Sequence, residues 1–439
     1  MSRFGANALF LRTLVFGGVS TFFAPDTMTS RVAAGPGSPT LAVPRVPRAR
    51  AARARPPFSP RAQTGRVGDD AFPAIPPDAS VLVIGASGRT GREVVRECVS
   101  RGIPVLAGTR DGAFDVAASL GEDVVAASVV PWTTPRVVPV RVDVTMPETI
   151  AGAFSRDDPE RRDDDAFLPK PTLVVFAATA PARGDPDAVD RRGLVAVARA
   201  CVENDVPRLV VISGAGVTAR NRSSPAYAFL NLFGGRMDAK ARGEAETVVV
   251  FAESRGRFER RLLASQALRA NSDDEATKNK AFPNDINENL RGCPSYTIVR
   301  PSGLLDKDRG GVKSLATNRG DVAAGFLSRG DLGTCAVACG FDARCAFASF
   351  EVYERGTAVP ASTLSVAEIL SDPKAARVAS ILTGQAFRES ALFGSLFDAS
   401  GAAAKKRDAS TREATRFERA GFASWDDAFA GIERDEFVP

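Results

Sequence analysis

SVLVIGASGRTGREVVRECVSRG, residues 80–102, decides how the chain is read. It opens on an apolar run, residues 80–86, of the length and composition of a buried parallel strand. It closes on a helix that sets Val94, Val95, Cys98 and Val99 on one face and stops at Gly102. Between strand and helix, Gly85, Gly88 and Gly91 fall at G-x-x-G-x-x-G spacing. Each glycine has a physical task in such a turn. Gly85 permits the tight bend, Gly88 lets the backbone approach a pyrophosphate, and Gly91 lets helix and strand pack closely. Phosphates then rest at a helix N-terminus, where unpaired N–H groups point at them. A glycine pattern alone is weak, but this one has the strand before it and the helix after it that the mechanism requires.

The same alternation continues outward. Residues 103–110 and 137–145 read as the second and third strands, and a helix through Ile150 and Phe154 leads to a fourth strand at 172–180. An amphipathic helix at 189–206, a fifth strand at 208–216, a sixth at 295–301 and a closing strand at 347–354 follow. Strands and helices alternating at these lengths predict an α/β fold: a Rossmann-like, doubly wound parallel sheet with a C-terminal helical extension. The expected boundaries are a leader at 1–68, a linker at 69–79, the domain at 80–355 with an insertion around 247–289, and the extension at 356–439. Two acidic, proline-containing stretches, 155–171 and 270–289, read as solvated loops.

Charge separates the leader from the body. Residues 1–68 hold ten of the 57 basic residues and one of the 52 acids, Asp26, so the remainder carries 47 bases against 51 acids. A mildly acidic body gives no reason to expect nucleic acid as a partner. The Arg-, Ala-, Pro- and Ser-rich leader has the composition of an organellar transit peptide, and VPRVPRARAARARPP (43–57) cannot pack a core. An apolar run at 14–25 suits a bipartite plastid address and is too short to span a bilayer. The expected compartment is the chloroplast, with the mitochondrion as the alternative, and no transmembrane segment is expected after the leader.

The chain has no histidine, which removes imidazole bases, Ser–His and Cys–His nucleophile pairs and the usual zinc sites. Six cysteines in a chain this long do not form a disulfide scaffold. Cys335 and Cys339 share a helix face, with Cys345 beyond, and buried core thiols are the expected role for them. No metal site is expected. At the end of the second strand stand Thr109, Arg110 and Asp111, and Arg89 lies inside the glycine turn. An NAD site wants an acid here for the ribose hydroxyls, while a 2′-phosphate wants arginine. Two cations favour NADP(H) over NAD(H).

The body resembles the atypical short-chain dehydrogenase/reductases in their NmrA-like, NAD(P)-binding branch. It is most similar there to plastid proteins resembling the dehydrogenase part of the redox-sensing inner-envelope translocon subunit. The resemblance rests on VLVIGASGRTGREVV, VDRRGLVAVARACVENDVPRLVVISGAGV, SPAYAFLNLFGGRMDAKARGEAE, YTIVRPSGLL and LSRGDLGTCAVAC, which together span about 80–355. It implies cofactor contacts from Gly85, Ser87, Gly88, Arg89, Thr90 and Gly91 in the turn, and from Arg110 after strand two. It also implies Asp143 and Val144 beside the adenine, and Ala177, Ala178 and Thr179 behind the nicotinamide ribose. Lys240 on the ribose, Arg300 and Pro301 on strand six, and Ser213 after strand five complete the implied site.

One group of the wider superfamily's reductases is missing. Their Tyr-x-x-x-Lys pair supplies a proton, the lysine lowering the phenol's pKa. Four residues before Lys240 stands Arg236, which donates no proton near neutral pH. The only tyrosines are Tyr227, Tyr296 and Tyr353, and Tyr227, in SSPAYAF, is the candidate to reach the pocket from a loop. Two functions follow. One is a plastid NADP(H)-binding regulatory or assembly factor, with a photosynthetic-complex, thylakoid or envelope protein as partner and little or no dehydrogenase activity. The other is an NADPH-dependent reductase or isomerase, with Ser213 polarising a carbonyl, Lys240 fixing the cofactor, and water or Tyr227 giving the proton. The Pro/Ser-rich partner-binding repeats of the translocon subunit are absent from the chain.

Overall fold

The computed structural model describes residues 72–121, 137–154, 170–232, 234–270, 292–363 and 415–436. The leader, the acidic stretches at 155–169 and 271–289, and most of the extension (364–414) lie outside the described residues.

Six strands rise in the expected order: β1 (Val81–Ile84), β2 (Val105–Thr109), β3 (Val137–Arg141), β4 (Leu173–Phe176), β5 (Arg208–Ile212) and β6 (Ser295–Pro301). With β7 (Leu315–Asn318), β8 (Ala348–Glu354) and β9 (Arg419–Ala420) they form one nine-stranded sheet in the order 3-2-1-4-5-6-8-7-9. From β3 through β8 along this order the neighbours are parallel; β7 then pairs antiparallel with β8, and β9 antiparallel with β7. The order reverses between β1 and β4, which opens the crevice at which such sheets take ligands. Pro139 is accommodated in β3, the edge strand, where a lost donor breaks least of the ladder.

The period-two alternation divides the core between two faces. Val81 and Val83 point to one cluster with helix α1 (Arg89–Ser100), while Leu82 and Ile84 point to the other. On the α1 face also lie α2 (Val116–Leu120) and, far along the chain, α7 (Arg329–Phe341), a buried helix rich in small residues. On the opposite face lie α3 (Pro147–Phe154), α4 (Leu194–Glu203) and α6 (Arg236–Ala270), preceded by the short α5 (Pro225–Asn231). The sheet is thus covered on both sides, as its near-continuous apolar strands require.

Three expectations are refined. The helix read at 189–206 begins as a π-type turn, Asp187–Gly193, and only then becomes α4. Residues 247–270, read as the start of an insertion, simply continue the 35-residue helix α6. The tail read as a helical extension contributes, where it is described, strand β9 to the main sheet and helix α8 (Trp425–Phe429) to the α1-side core. Tail aromatics cover a face that would otherwise meet water: Trp425 and Phe429 are 3% and 1% exposed.

Candidate functional site

The glycine turn has the geometry its sequence calls for. Gly85 adopts φ +84°, and a Cβ on it would stand 2.9 Å from the N and Cα of Ala178 at the end of β4. A Cβ on Gly91 would collide with the carbonyl oxygen of Gly85, so α1 rests against the turn only because that side chain is absent. Gly88 is the N-cap, with no side chain capping the helix and no acid in its first turn. Its free N–H groups and the partial positive charge of the helix end are therefore available to an anion. Ser87 is exposed on the turn, and Thr90 lies within the first helical turn.

Arg89 and Arg110 do different things. Arg89 Nη1 pairs with Asp306, beyond β6, at 2.5 Å. That draws Arg89 toward the β6 side, away from β2, and leaves Arg110 as the cation at the β2 end. Arg110 is exposed and makes no hydrogen bond or ion pair among the described residues. The neighbouring acid is tied back into its own turn: Asp111 accepts from the Ala113 N–H at 3.1 Å, and this bond, with Thr109 and Arg110, lowers its pKa. Asp143, after β3, accepts from the Thr145 amide and hydroxyl at 3.0 and 2.7 Å. Burial pushes its carboxyl up, but those donors, Arg110 and Arg141 outweigh it and hold it low. Val144 beside it is buried.

At the end of β4, Ala177 and Ala178 lead to Thr179, and a residue the motif reading did not single out takes the centre. Asp190, 1% exposed, accepts from the Thr179 hydroxyl (2.7 Å), the Ala180 N–H (3.0 Å) and Lys240 Nζ (2.9 Å). Burial raises its pKa, yet Lys240 and these donors prevail and keep it ionised. Gly243 makes the approach possible, since a side chain there would strike the Asp190 carbonyl. A signal existed in the sequence. Asp190, Gly193, Leu194 and Val197 follow the i, i+3, i+4, i+7 spacing of one helix stripe, so an acid sits on an inward-facing row. Arg236, in the tyrosine's place, donates to the Thr179 hydroxyl (3.0 Å) and to the carbonyls of Ala180 (2.7 Å) and Pro181 (3.2 Å). It staples α6 to the loop after β4.

Residues 85–250 match a family model described as NAD(P)H-binding. That stretch, from the glycine turn into α6, is similar to NAD(P)H-binding domains. An uncharacterized chloroplastic protein of Arabidopsis thaliana is 32% identical over 168 residues, covering 37% of this chain and 52% of that protein. The chain thus spans about half the length of the curated relative it matches. Solved structures are similar as well. An oxidoreductase of Lactococcus lactis is 14% identical, covers 64% of this chain and 92% of its own, and has a TM-score of 0.39. A short-chain dehydrogenase/reductase of Veillonella parvula in complex with NADP is 14% identical, covers 64% and 96%, and has a TM-score of 0.37. Likenesses this loose carry no functional argument.

The remaining expected site residues of the domain divide. Ser213 directly follows β5, its N–H bonded to the Val299 carbonyl at 2.9 Å, and its buried Oγ has no partner among the described residues. Pro301 ends β6 and accepts from the Ala215 N–H at 2.8 Å, which fixes the loop that carries Ser213. Arg300 points to the other side of its strand, into a buried ion pair with Glu244 on α6 at 2.8 Å, with Glu351 of β8 at 3.9 Å. Tyr227 is 4% exposed and its phenol donates to Asp238. Burial and that carboxylate push its pKa up to about 12. The other two phenols are held likewise, Tyr296 by Asp435 and Tyr353 by Glu418, both at 2.8 Å. All six cysteines are buried free thiols. No cluster fit for a metal ion occurs among the described residues, nor is any described helix long and apolar enough to cross a membrane.

Proposed function

We propose that the protein is a plastid NADP(H)-binding factor whose dinucleotide serves regulation or assembly rather than classical dehydrogenation. One observation carries this reading: every tyrosine in the chain donates its phenol to a carboxylate, and the position four residues before Lys240 is an arginine bonded to backbone carbonyls. A phenol committed to a carboxylate is a poor proton donor, because losing its proton would set two negative charges together. Arg236 stays charged and gives nothing up. A bound nicotinamide supplies or accepts a hydride, and without an acid beside it carbonyl reduction lacks its second half.

The residues fit the dinucleotide. The Gly85–Gly91 turn with Ser87, Gly88, Arg89 and Thr90 would cradle the diphosphate, Arg110 the 2′-phosphate, and Asp143 with Val144 the adenine. Ala177, Ala178, Thr179 and Pro301 would line the nicotinamide ribose, with Lys240 reaching it from its Asp190 anchor. The unpaired Arg110 and the self-satisfied Asp111 support NADP(H) over NAD(H). Cofactor occupancy would then bias which surface is offered to a protein partner at a photosynthetic or envelope membrane. The leader's composition and the chloroplastic relative support the compartment, and a reporter carrying residues 1–68 should enter plastids.

A second reading rests on Ser213, whose buried unpartnered hydroxyl is the kind of group that polarises a substrate carbonyl. Titrating the purified chain with NADPH and NADH, then following NADPH oxidation against a panel of aldehydes, ketones and quinones, separates the two. Tight NADPH binding with no turnover is expected. Turnover on the order of 1 s⁻¹ or faster would establish the enzyme instead.

A further inference from the structure

We propose that Asp306 is a built-in anion that occupies the guanidinium of Arg89 until a dinucleotide's diphosphate displaces it, so that this carboxylate sets the affinity of the glycine turn. The inference rests on the dinucleotide reading above and adds a residue that no part of the turn's motif contains.

The turn is arranged to attract negative charge: an uncapped helix end with no acid in its first turn, and a cation within it. Into that setting an acid arrives from 217 residues away. The Asp306 carboxylate bridges two arginines, Arg89 by one oxygen and Arg329, at the start of α7, by the other. The bridge is lopsided. Arg329 is 9% exposed and anchors Asp306 in protein, whereas Arg89 is 36% exposed and meets solvent. Asp306 itself is 59% exposed, so its bond to the solvent-facing Arg89 is worth little and exchanges readily, while the more enclosed Arg329 still holds the other oxygen. Arg89 also keeps its other terminal nitrogen buried, with no hydrogen-bond partner among the described residues. A charge-assisted donor in that condition is an unspent interaction for a ligand with several acceptor oxygens, which a carboxylate on one nitrogen does not use up.

The rest of the segment is fixed independently. Arg309 pairs with Glu93 and Glu97 on α1, and the N–H groups of Gly310 and Gly311 each donate to Asp331 at 2.9 Å. With its far end held, residue 306 can leave Arg89 without unravelling the segment. Displacement lowers apparent affinity by the fraction of molecules in which the site is self-occupied. The diphosphate is common to NADPH and NADH, so the effect falls on both equally, unlike that of Arg110.

Calorimetric titration of the wild-type chain, Asp306→Asn and Asp306→Ala with NADPH, NADH and inorganic pyrophosphate tests this. Both variants should bind all three about two- to fivefold more tightly at low salt, the range that removing a competing water-facing ion pair releases. Adding Arg89→Ala to Asp306→Asn should cancel the gain. Unchanged or weaker binding in both variants, or a gain that survives the loss of Arg89, overturns the proposal. A wild type that binds pyrophosphate but neither dinucleotide refutes the dinucleotide reading alone, and the variant-to-wild-type ratio for pyrophosphate still decides this one.

Discussion

Glu351 should make the protein's stability depend on pH, and Glu351→Gln should remove that dependence. Four buried charged groups meet where β6, α6, β8 and the 319–322 turn converge: Arg300, Glu244, Glu351 and Asp321, all no more than 9% exposed. Three carboxylates thus share one guanidinium. Arg300 gives its close bonds to Glu244, and Glu351 is left with the Asp321 N–H at 2.9 Å on one oxygen and no partner among the described residues on the other. Asp321 spends its own carboxylate on Gly216, Thr218 and Asn221. Burial therefore pushes Glu351 from 4.5 to about 7, with Arg300 opposing and Asp321 reinforcing the rise. Between those two values the folded chain keeps a proton that the unfolded chain has released. Stability accordingly falls as pH rises through the window, and the full cost is carried above about pH 7. At about 1.4 kcal/mol per pH unit, that cost is on the order of 3 kcal/mol. Glutamine keeps the acceptor for the Asp321 N–H and never ionises. In urea unfolding followed by circular dichroism, Glu351→Gln should exceed the wild type by about 3 kcal/mol at pH 8 and match it near pH 4.5. A gap of equal size at both pH values, or a less stable variant at pH 8, would refute the argument.

Other expected outcomes concern the dinucleotide. Arg110→Ala should erase most of the preference for NADPH over NADH, a loss of roughly tenfold or more by calorimetry; equal wild-type affinities would remove the NADP assignment. Lys240→Ala should weaken dinucleotide binding and, by leaving the buried Asp190 carboxylate without its cation, destabilise the fold by about 3 kcal/mol or more in a denaturant melt. Stability unchanged within about 0.5 kcal/mol would mean that the Thr179 and Ala180 donors alone suffice. Arg236→Ala should leave binding largely intact, whereas Arg236→Tyr tests for a silenced reductase: newly gained carbonyl reduction means that only the acid was lost. An already active wild type whose rate collapses with Tyr227→Phe would place the proton on Tyr227 and overturn the regulatory reading.

Much of the nucleotide half was legible because its rules are local. Gly85, Gly88 and Gly91 follow from the steric needs of one turn, β1 from an apolar run, and α1 from a stripe of valines. Each of these rests on neighbours within a few residues, so sequence alone determined the doubly wound class and where its glycine turn lies. It determined equally that imidazole chemistry is absent and that arginine stands where a phenol is usual. Tertiary structure alone decided how the charged side chains are shared out. Arg89 and Asp306, 217 residues apart, meet only because β6 and α7 return to the side of α1. Arg300 lies one residue from Pro301 yet points to the opposite face of β6, where Glu244 and Glu351 claim it. Lys240 reaches Asp190 because a π-type turn and Gly243 let two elements approach. Spacing along a chain sets periodicity and backbone conformation, whereas the partner of a charge depends on which distant element the packing brings within a few ångströms, and its ionisation depends on how completely water is excluded there.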